Sequence, residues 1–178
     1  MLQSAPLILA FIVAVWAGVL DWRFRRIPNW LTVSGAAAGV AVHATFYRLP
    51  GLKIALLGLG LGLALLLPFV LLRSLGAGDW KLAGALGACL GPAHLLDVLI
   101  AAFFVAGVMA LAVIIAKGRL KTTLVNIAHM LAALFSLRMP GAEVSLDNPQ
   151  STKIPFGVAL ALATVLYVAV VGLGKIHG

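Results

Sequence analysis

Long apolar runs alternate with short polar segments along the chain of 178 residues. Several runs approach the roughly 20 apolar residues that a helix needs to cross a bilayer. We therefore predict an all-α polytopic membrane protein that forms one domain over residues 1–178. Its six spanning helices are predicted at Ala5–Leu20, Trp30–Tyr47, Leu52–Leu72, Trp80–Leu90, Leu95–Ala116 and Ile154–Leu173.

The stretch Lys117–Lys153, between the last two predicted helices, is the only long one with many polar residues. Apolar residues recur at helical spacing over Leu120–Leu137, with basic and polar residues between them, which predicts an amphipathic helix lying on the membrane surface. The following Pro140–Ser151 contains Pro, Gly, Asp and Asn and is predicted to be a loop.

The fourth predicted helix is too short to cross a bilayer, since about eleven residues extend roughly 16 Å. Its ends would leave backbone groups unsatisfied in lipid. We expect protein to surround it, or a water-filled cavity to open at the end where Asp79 lies. Glycines inside the apolar runs are predicted to allow close helix packing rather than to bind a nucleotide: Gly35, Gly39, Gly58, Gly60, Gly62, Gly84 and Gly87.

Composition supports a membrane protein, because 63% of the residues are hydrophobic and only 10% are charged. A soluble domain averages about half apolar and about a quarter charged residues. The basic residues responsible for the net charge of +8 lie mainly in short loops. This position favours a role in membrane orientation and in contact with anionic lipid over a role in binding nucleic acid.

The distribution of positive charge distinguishes six spans from five. Six spans place ten basic residues on one side and three on the other, whereas a single helix over 82–116 gives six against seven. Cytoplasmic loops hold the excess of Lys and Arg, and Gly91–Pro92 is a break signal. We therefore predict six spans with both termini outside. The first helix is predicted to be retained, since no positive residue precedes Leu7–Leu20.

Two of the five acidic residues lie next to membrane spans on the same predicted face. Asp21 ends the first helix and Asp79 opens the fourth. Two carboxyls in close contact cannot both ionise easily, so one can activate a water while the other, protonated, donates to a carbonyl oxygen. Gly76 and Gly78 would let another backbone approach Asp79. An alternative is that Asp79 caps its helix and Asp21 pairs with Arg25 at i+4, which leaves the Gly-x-Gly unexplained.

No metal or cofactor is expected, because the histidines His43, His94, His129 and His177 are scattered without ligand spacing. The single cysteine, Cys89, excludes an intrachain disulfide and is predicted to be a packing residue.

Three segments together resemble the type IV prepilin peptidases, which are membrane aspartyl proteases of the Gly-x-Gly-Asp type. They are Asp21-x-Arg23-x-x-x-Ile27-Pro28-Asn29, Gly76-x-Gly78-Asp79-x-Lys81 and Ile154-Pro155-Phe156-Gly157. They occur in order, each beside a predicted span, and cover nearly the whole chain.

The resemblance implies that Asp21 and Asp79 are catalytic, in the bacterial inner membrane with the active site facing the cytoplasm. It implies cleavage of the leader of a prepilin or pseudopilin after a glycine. The single cysteine implies no methyltransferase activity, which larger members combine with a cysteine-containing insert. Small size and the surface segment are most similar to the enzymes that serve Flp (tight-adherence) pili.

The neighbouring motif residues have supporting roles in this interpretation. Arg23 and Lys81 pair with substrate, tune the carboxyls or extend to lipid head groups, while Pro28 and Asn29 belong to the first motif. Pro155 and Gly157 shape the cavity wall. Two other hypotheses remain: a Gly-x-Gly-Asp protease that cuts helices inside the bilayer, and a transporter or assembly subunit in which the two aspartates carry protons.

Overall fold

The computed structural model describes residues 5–72, 75–118 and 155–174, with the side chains of the last range described as far as 171. These residues form five helices: α1 (Ala5–Phe24), α2 (Asn29–Leu71), α3 (Ala77–Leu90), α4 (Pro92–Ala116) and α5 (Phe156–Gly174). Strands do not occur within these ranges, so the predicted all-α class is confirmed. The predicted surface helix at 120–137 and loop at 140–151 lie outside the described residues.

A sharp reversal divides α2 into two arms, 29–47 and 49–71. Arg48 has non-helical backbone angles (φ 54°, ψ −140°), and the following Pro50 lacks the amide proton that a continuous helix would use. A side chain at Gly51 would collide with the carbonyl oxygen of His43 and with Cβ of Tyr47, which shows how closely the second arm returns along the first. The boundary predicted between Trp30–Tyr47 and Leu52–Leu72 falls at this reversal.

The helix α3 packs between the two arms of α2 through glycines. A Cβ atom at Gly39 would lie 2.8 Å from the backbone of Ala88, and one at Gly62 would lie 2.5 Å from the oxygen of Ala83. The predicted packing role is therefore confirmed for these glycines but wrong for Gly60, which has nothing within 4 Å. Along the first arm, later glycines contact later residues of α3: Gly35 with Ala85 and Gly39 with Ala88. Along the second arm, later glycines contact earlier residues of α3: Gly58 with Gly87 and Gly62 with Ala83.

The remaining helices alternate in direction in the same way. Gly18 of α1 contacts Ala161 of α5, and Asp21 contacts Val158, so these two helices run antiparallel. Phe103 of α4 stacks against Phe156 at the start of α5, with ring centroids 5.4 Å apart. Near the other end, His94 bonds to Tyr167. The end of α1 and the starts of α2, α3 and α5 therefore share one end of the bundle, called here the aspartate end.

The short helix α3 is enclosed by its neighbours, as predicted. Its 14 residues extend about 21 Å, which is less than the hydrocarbon thickness of a bilayer. All residues from Leu82 to Leu90 are buried. Three of the described helices, α1, α2 and α4, are long and apolar enough to cross a membrane. In α5 the apolar stretch Phe156–Val171 is shorter.

Two of the helix ends that differ from the prediction change the positions of the aspartates. The helix α1 continues past Leu20 to Phe24, so Asp21 lies inside its last turns rather than after it. It ends where Arg25 adopts a φ of 53°, in the left-handed region that stops a helix. The helix α3 begins at Ala77 instead of Trp80, and Asp79 therefore lies within its first turn.

Candidate active site

The last turns of α1 place Asp21 against the interior of the bundle. Its side chain is only 6% exposed, whereas Trp22 beside it is 70% exposed. The N–H of Arg25 donates to the backbone oxygen of Asp21 at 2.9 Å, which completes the final helical turn. The chain then turns through Ile27 into Pro28, which has extended backbone angles and precedes α2.

The first turn of α3 places Asp79 on the other side of the same space. Gly76 is the N-cap residue, with extended backbone angles and no side chain to cap the helix. Asp79 is therefore not the N-cap residue itself. Its carboxyl nevertheless caps the helix from the third position by accepting a hydrogen bond from the N–H of Gly76, as in a capping box, so a capping role accompanies its place in the site. Trp80 fixes the turn by donating from Nε1 to the oxygen of Leu63 at 2.6 Å.

The start of α5 supplies the third side of the site. The N–H of Val158 donates to Oδ2 of Asp21 at 3.2 Å. The N–H of Gly157 contributes hydrogen bonds to both carboxyls. A Cβ atom at Gly157 would lie 2.8 Å from Oδ2 of Asp21 and 2.9 Å from Oδ1 of Asp79, so the distance between these oxygens cannot exceed the sum of the two. The two aspartates predicted from the sequence therefore converge.

The proximity of the carboxyls affects the ionisation of Asp79. Burial raises its pKa to about 7, and the charge of Asp21 adds to the effect. The N–H groups of Gly76 and Gly157 act in the opposite direction, since hydrogen bonds to a carboxylate favour its charged form. The pair therefore holds a proton near neutral pH, as general acid–base chemistry between two carboxyls requires.

A cavity of about 580 Å³ opens beside the two carboxyls at the aspartate end. This volume is typical of sites that hold small ligands or short peptide segments. The residues that line it come from the end of α1, the turn into α2 and the start of α3: Leu20, Asp21, Phe24, Arg25, Arg26, Ile27, Pro28, Asn29, Gly76, Ala77, Gly78 and Asp79.

Of the supporting residues predicted from the sequence, Pro28, Asn29, Gly76 and Gly78 line this cavity. A Cβ atom at Gly78 would lie 3.2 Å from Cβ of Ile27. The backbone that approaches the Gly-x-Gly segment therefore belongs to this chain's own first motif.

The two basic residues of the motifs lie outside the residues that line the cavity. Lys81 donates from Nζ to Oδ1 of Asn29 at 2.9 Å and so ties the first motif to the second. The guanidinium of Arg23 lies 5.8 Å from the centroid of the Phe24 ring. Pro155 precedes α5 and accepts a bond from the N–H of Ala159 at 3.4 Å.

Sequence reasoning missed the basic residues that do line the cavity, Arg25 and Arg26. The sequence predicts Arg25 as part of the cytoplasmic basic cluster or as an ion-pair partner of Asp21, and its charge does act on that carboxyl. Its place in the cavity depends on the positive φ of Arg25, for which an arginine gives no signal in a sequence.

Two converging carboxyls beside a cavity, one of which has its pKa raised to about 7, have the chemistry of aspartic-type peptidases. A model described as the type IV leader peptidase family matches residues 8–111, more than half of the chain. The chain therefore belongs to the type IV leader peptidase family, which makes it a leader peptidase-like protease and suggests prepilin-type substrates. Searches of curated proteins and of solved structures found no match.

Proposed function

We propose that this protein cleaves the leader peptides of Flp-type prepilins or pseudopilins after a glycine, at the cytoplasmic face of the bacterial inner membrane. Asp21 and Asp79 form the catalytic pair, and no metal or cofactor takes part. The observation that carries the proposal is that both carboxyl oxygens lie within 3 Å of one position beside Gly157. Membership of the family supports the substrate class.

The reaction follows from one proton shared by the two carboxyls. The ionised carboxyl takes a proton from a water, and the resulting oxygen nucleophile attacks the scissile carbonyl carbon. The protonated carboxyl donates to the carbonyl oxygen as the tetrahedral intermediate forms. When the C–N bond breaks, the protonated carboxyl gives its proton to the leaving amine and the ionised carboxyl takes the proton of one hydroxyl of the intermediate, so the pair again holds a single proton. Acid and base belong to the pair as a unit, because the carboxyls titrate together.

The proposed membrane topology has six spans, with each arm of α2 counted separately and α3 enclosed by protein. The alternating helix directions support it, since they bring Asp21, Asp79 and Gly157 to one end. Basic residues cluster at that end, as expected of a cytoplasmic face: Arg23, Arg25, Arg26 and Lys81.

Aromatic residues support the same orientation. Three tryptophans at the aspartate end are exposed, namely Trp16, Trp22 and Trp30, and the first and last stack edge to face at 5.9 Å. The tyrosines Tyr47 and Tyr167 lie at the opposite end, beside His43 and His94. Tryptophan and tyrosine are enriched at the two interfaces of a membrane, so this distribution supports the proposed position of the carboxyl pair near one interface.

The direct test is incubation of the purified protein, reconstituted in liposomes, with a prepilin, followed by mass analysis of the product N-terminus. We expect a single cut after a glycine and a product that carries no added methyl group. A cut within the transmembrane part of the substrate would instead indicate a protease that acts inside the bilayer. Proton flux through the liposomes without any proteolysis would favour a transporter and contradict the proposal.

A further inference from the structure

The first turn of α5 contacts the carboxyl pair through backbone N–H groups. Val158 donates its N–H to Asp21, and Gly157 donates toward both carboxyls. The N–H groups of a first helical turn have no partner within their own helix and carry partial positive charge. The negative charge of a singly protonated pair therefore meets fixed donors that need no rearrangement.

A side chain at Gly157 would enter the gap between the carboxyls. Its Cβ atom would lie 2.8 Å from Oδ2 of Asp21, 2.9 Å from Oδ1 of Asp79 and 2.8 Å from Cδ1 of Ile27. These distances are shorter than side chains tolerate, so the carboxyls would have to move apart. Asp21 has little freedom to move, because it is buried and bonded to Val158.

We propose that the start of α5 completes the catalytic centre, with the Gly157 and Val158 amides holding the two carboxyls at their working separation. Gly157 is thus a positioning residue, at which any side chain would displace one or both carboxyls. The inference rests on the proposed function for the reaction that the pair performs. The family model matches residues 8–111, whereas the inference concerns a part of the chain outside that range.

Three glycine-to-alanine variants separate this role from general packing. Gly157→Ala places a methyl group between the carboxyls. Gly39→Ala creates an equally short contact of 2.8 Å, but against the backbone of Ala88 and away from the carboxyls, and Gly107→Ala meets nothing within 4 Å. We expect Gly157→Ala to lower kcat for prepilin cleavage by at least about 100-fold with KM changed by less than about threefold, since displaced catalytic groups cost this much. The two control variants should keep kcat within about fivefold of the wild type.

A second pair of variants tests the contact between the Val158 amide and Asp21. Val158→Pro replaces the N–H that bonds to Asp21 with a ring carbon, which cannot donate and lies against the carboxyl, at a first-turn position where proline is tolerated in a helix. Val158→Ala keeps this N–H. We expect the proline variant to lower kcat at least about tenfold relative to the alanine variant, in keeping with the loss of a hydrogen bond to a charged group. Equal rates in the two variants would overturn the role of the amide.

A measurement without substrate distinguishes this inference from the proposed function. The infrared carboxyl band of Asp79 can be followed against pH, with Asp79→Asn identifying the band. The charged groups that face this carboxyl across the cavity are Asp21, Arg25 and Arg26. Separation of the carboxyls weakens their repulsion, so the titration midpoint should fall by about one pH unit or more in Gly157→Ala and stay unchanged in Gly39→Ala.

The results distinguish a failure of the positioning role from a failure of the proposed function. A midpoint in Gly157→Ala that stays the same or rises overturns the positioning role, whatever the activity. A lowered midpoint in a protein whose wild type cuts no prepilin supports the positioning role while it contradicts the proposed function. Equal loss of kcat in Gly157→Ala and Gly39→Ala also overturns the inference, because general packing would then explain both.

Discussion

Replacement of Asp79 by asparagine is expected to stabilise the protein above neutral pH. The side chains have the same shape, and the amide oxygen of asparagine can still accept the N–H of Gly76. What changes is the charge. Burial and the neighbouring Asp21 disfavour an ionised Asp79, whereas asparagine remains neutral at every pH.

The magnitude follows from the pKa of Asp79, which rises from 3.8 to about 7 on folding. A group whose pKa is higher in the folded state contributes its full stability below the unfolded pKa and loses it as pH rises through the folded value. About three units at 1.36 kcal/mol each give an upper limit of about 4 kcal/mol, of which about 3 kcal/mol is lost between pH 5 and pH 8. Asp79→Asn lacks this loss.

The assay is thermal unfolding in detergent, followed by tryptophan fluorescence from pH 5 to pH 8. The wild-type midpoint should fall relative to that of Asp79→Asn by several degrees over this range. The difference between the two curves isolates Asp79, since all other titrating groups are common to both proteins. Parallel curves, or a variant that becomes relatively less stable at pH 8, would refute the reasoning.

The remaining predictions concern activity and packing. The kcat for prepilin cleavage should decline above a pH of about 7, where Asp79 loses its proton, and a rate that rises from pH 7 to pH 9 would contradict this sign. Gly62→Ala should cost about 1–3 kcal/mol of stability, because its Cβ meets the backbone of Ala83. Gly60→Ala should be neutral or stabilising by up to about 1 kcal/mol. A higher thermal midpoint for Gly62→Ala than for Gly60→Ala would contradict this packing. Lys81→Met and Asn29→Ala should each slow cleavage by no more than about tenfold, because the hydrogen bond between these two residues is exposed. A loss of about 100-fold in Lys81→Met in a kinetic assay would instead give Lys81 a direct role in the reaction.

The convergence of Asp21 and Asp79 could be predicted because each lies at the end of an apolar run, and alternating spans bring those ends to one face. The enclosure of α3 could be predicted for a similar reason, since a helix shorter than the hydrocarbon thickness of the bilayer cannot expose its ends to lipid. Both inferences depend on chain direction and length, which the apolar pattern records directly.

Side-chain direction was predicted less well, although helix geometry would have helped. Residues two apart on a helix point to nearly opposite sides. Gly58 and Gly62 therefore share a face and contact α3, whereas Gly60 points away. The same rule turns Arg23 away from Asp21 and leaves it on the ring of Phe24.

Other features depend on tertiary contacts that no local pattern encodes. The place of Gly157 between the carboxyls is set by the rotation and depth of α5 against α1, through contacts such as Gly18 with Ala161. The end of α1 depends on the positive φ of Arg25, where glycine would have been the usual signal. The Ile154-Pro155-Phe156-Gly157 motif identified the segment, but only the folded chain gives its distance to each carboxyl.

The most direct measurement is a comparison of prepilin cleavage by Asp21→Asn, Asp79→Asn and the variant with both changes. The matched control is Asp97→Asn, since Asp97 lies near the start of α4, close to His94 at the end of the bundle opposite the aspartates. If the two carboxyls share one proton and one water, each single variant should lose at least about 1000-fold in kcat and the double variant no more, because residues that act as a unit are not additive. Asp97→Asn should cleave at close to the wild-type rate. Substantial activity in either single variant, or losses that multiply in the double variant, would contradict a shared catalytic pair.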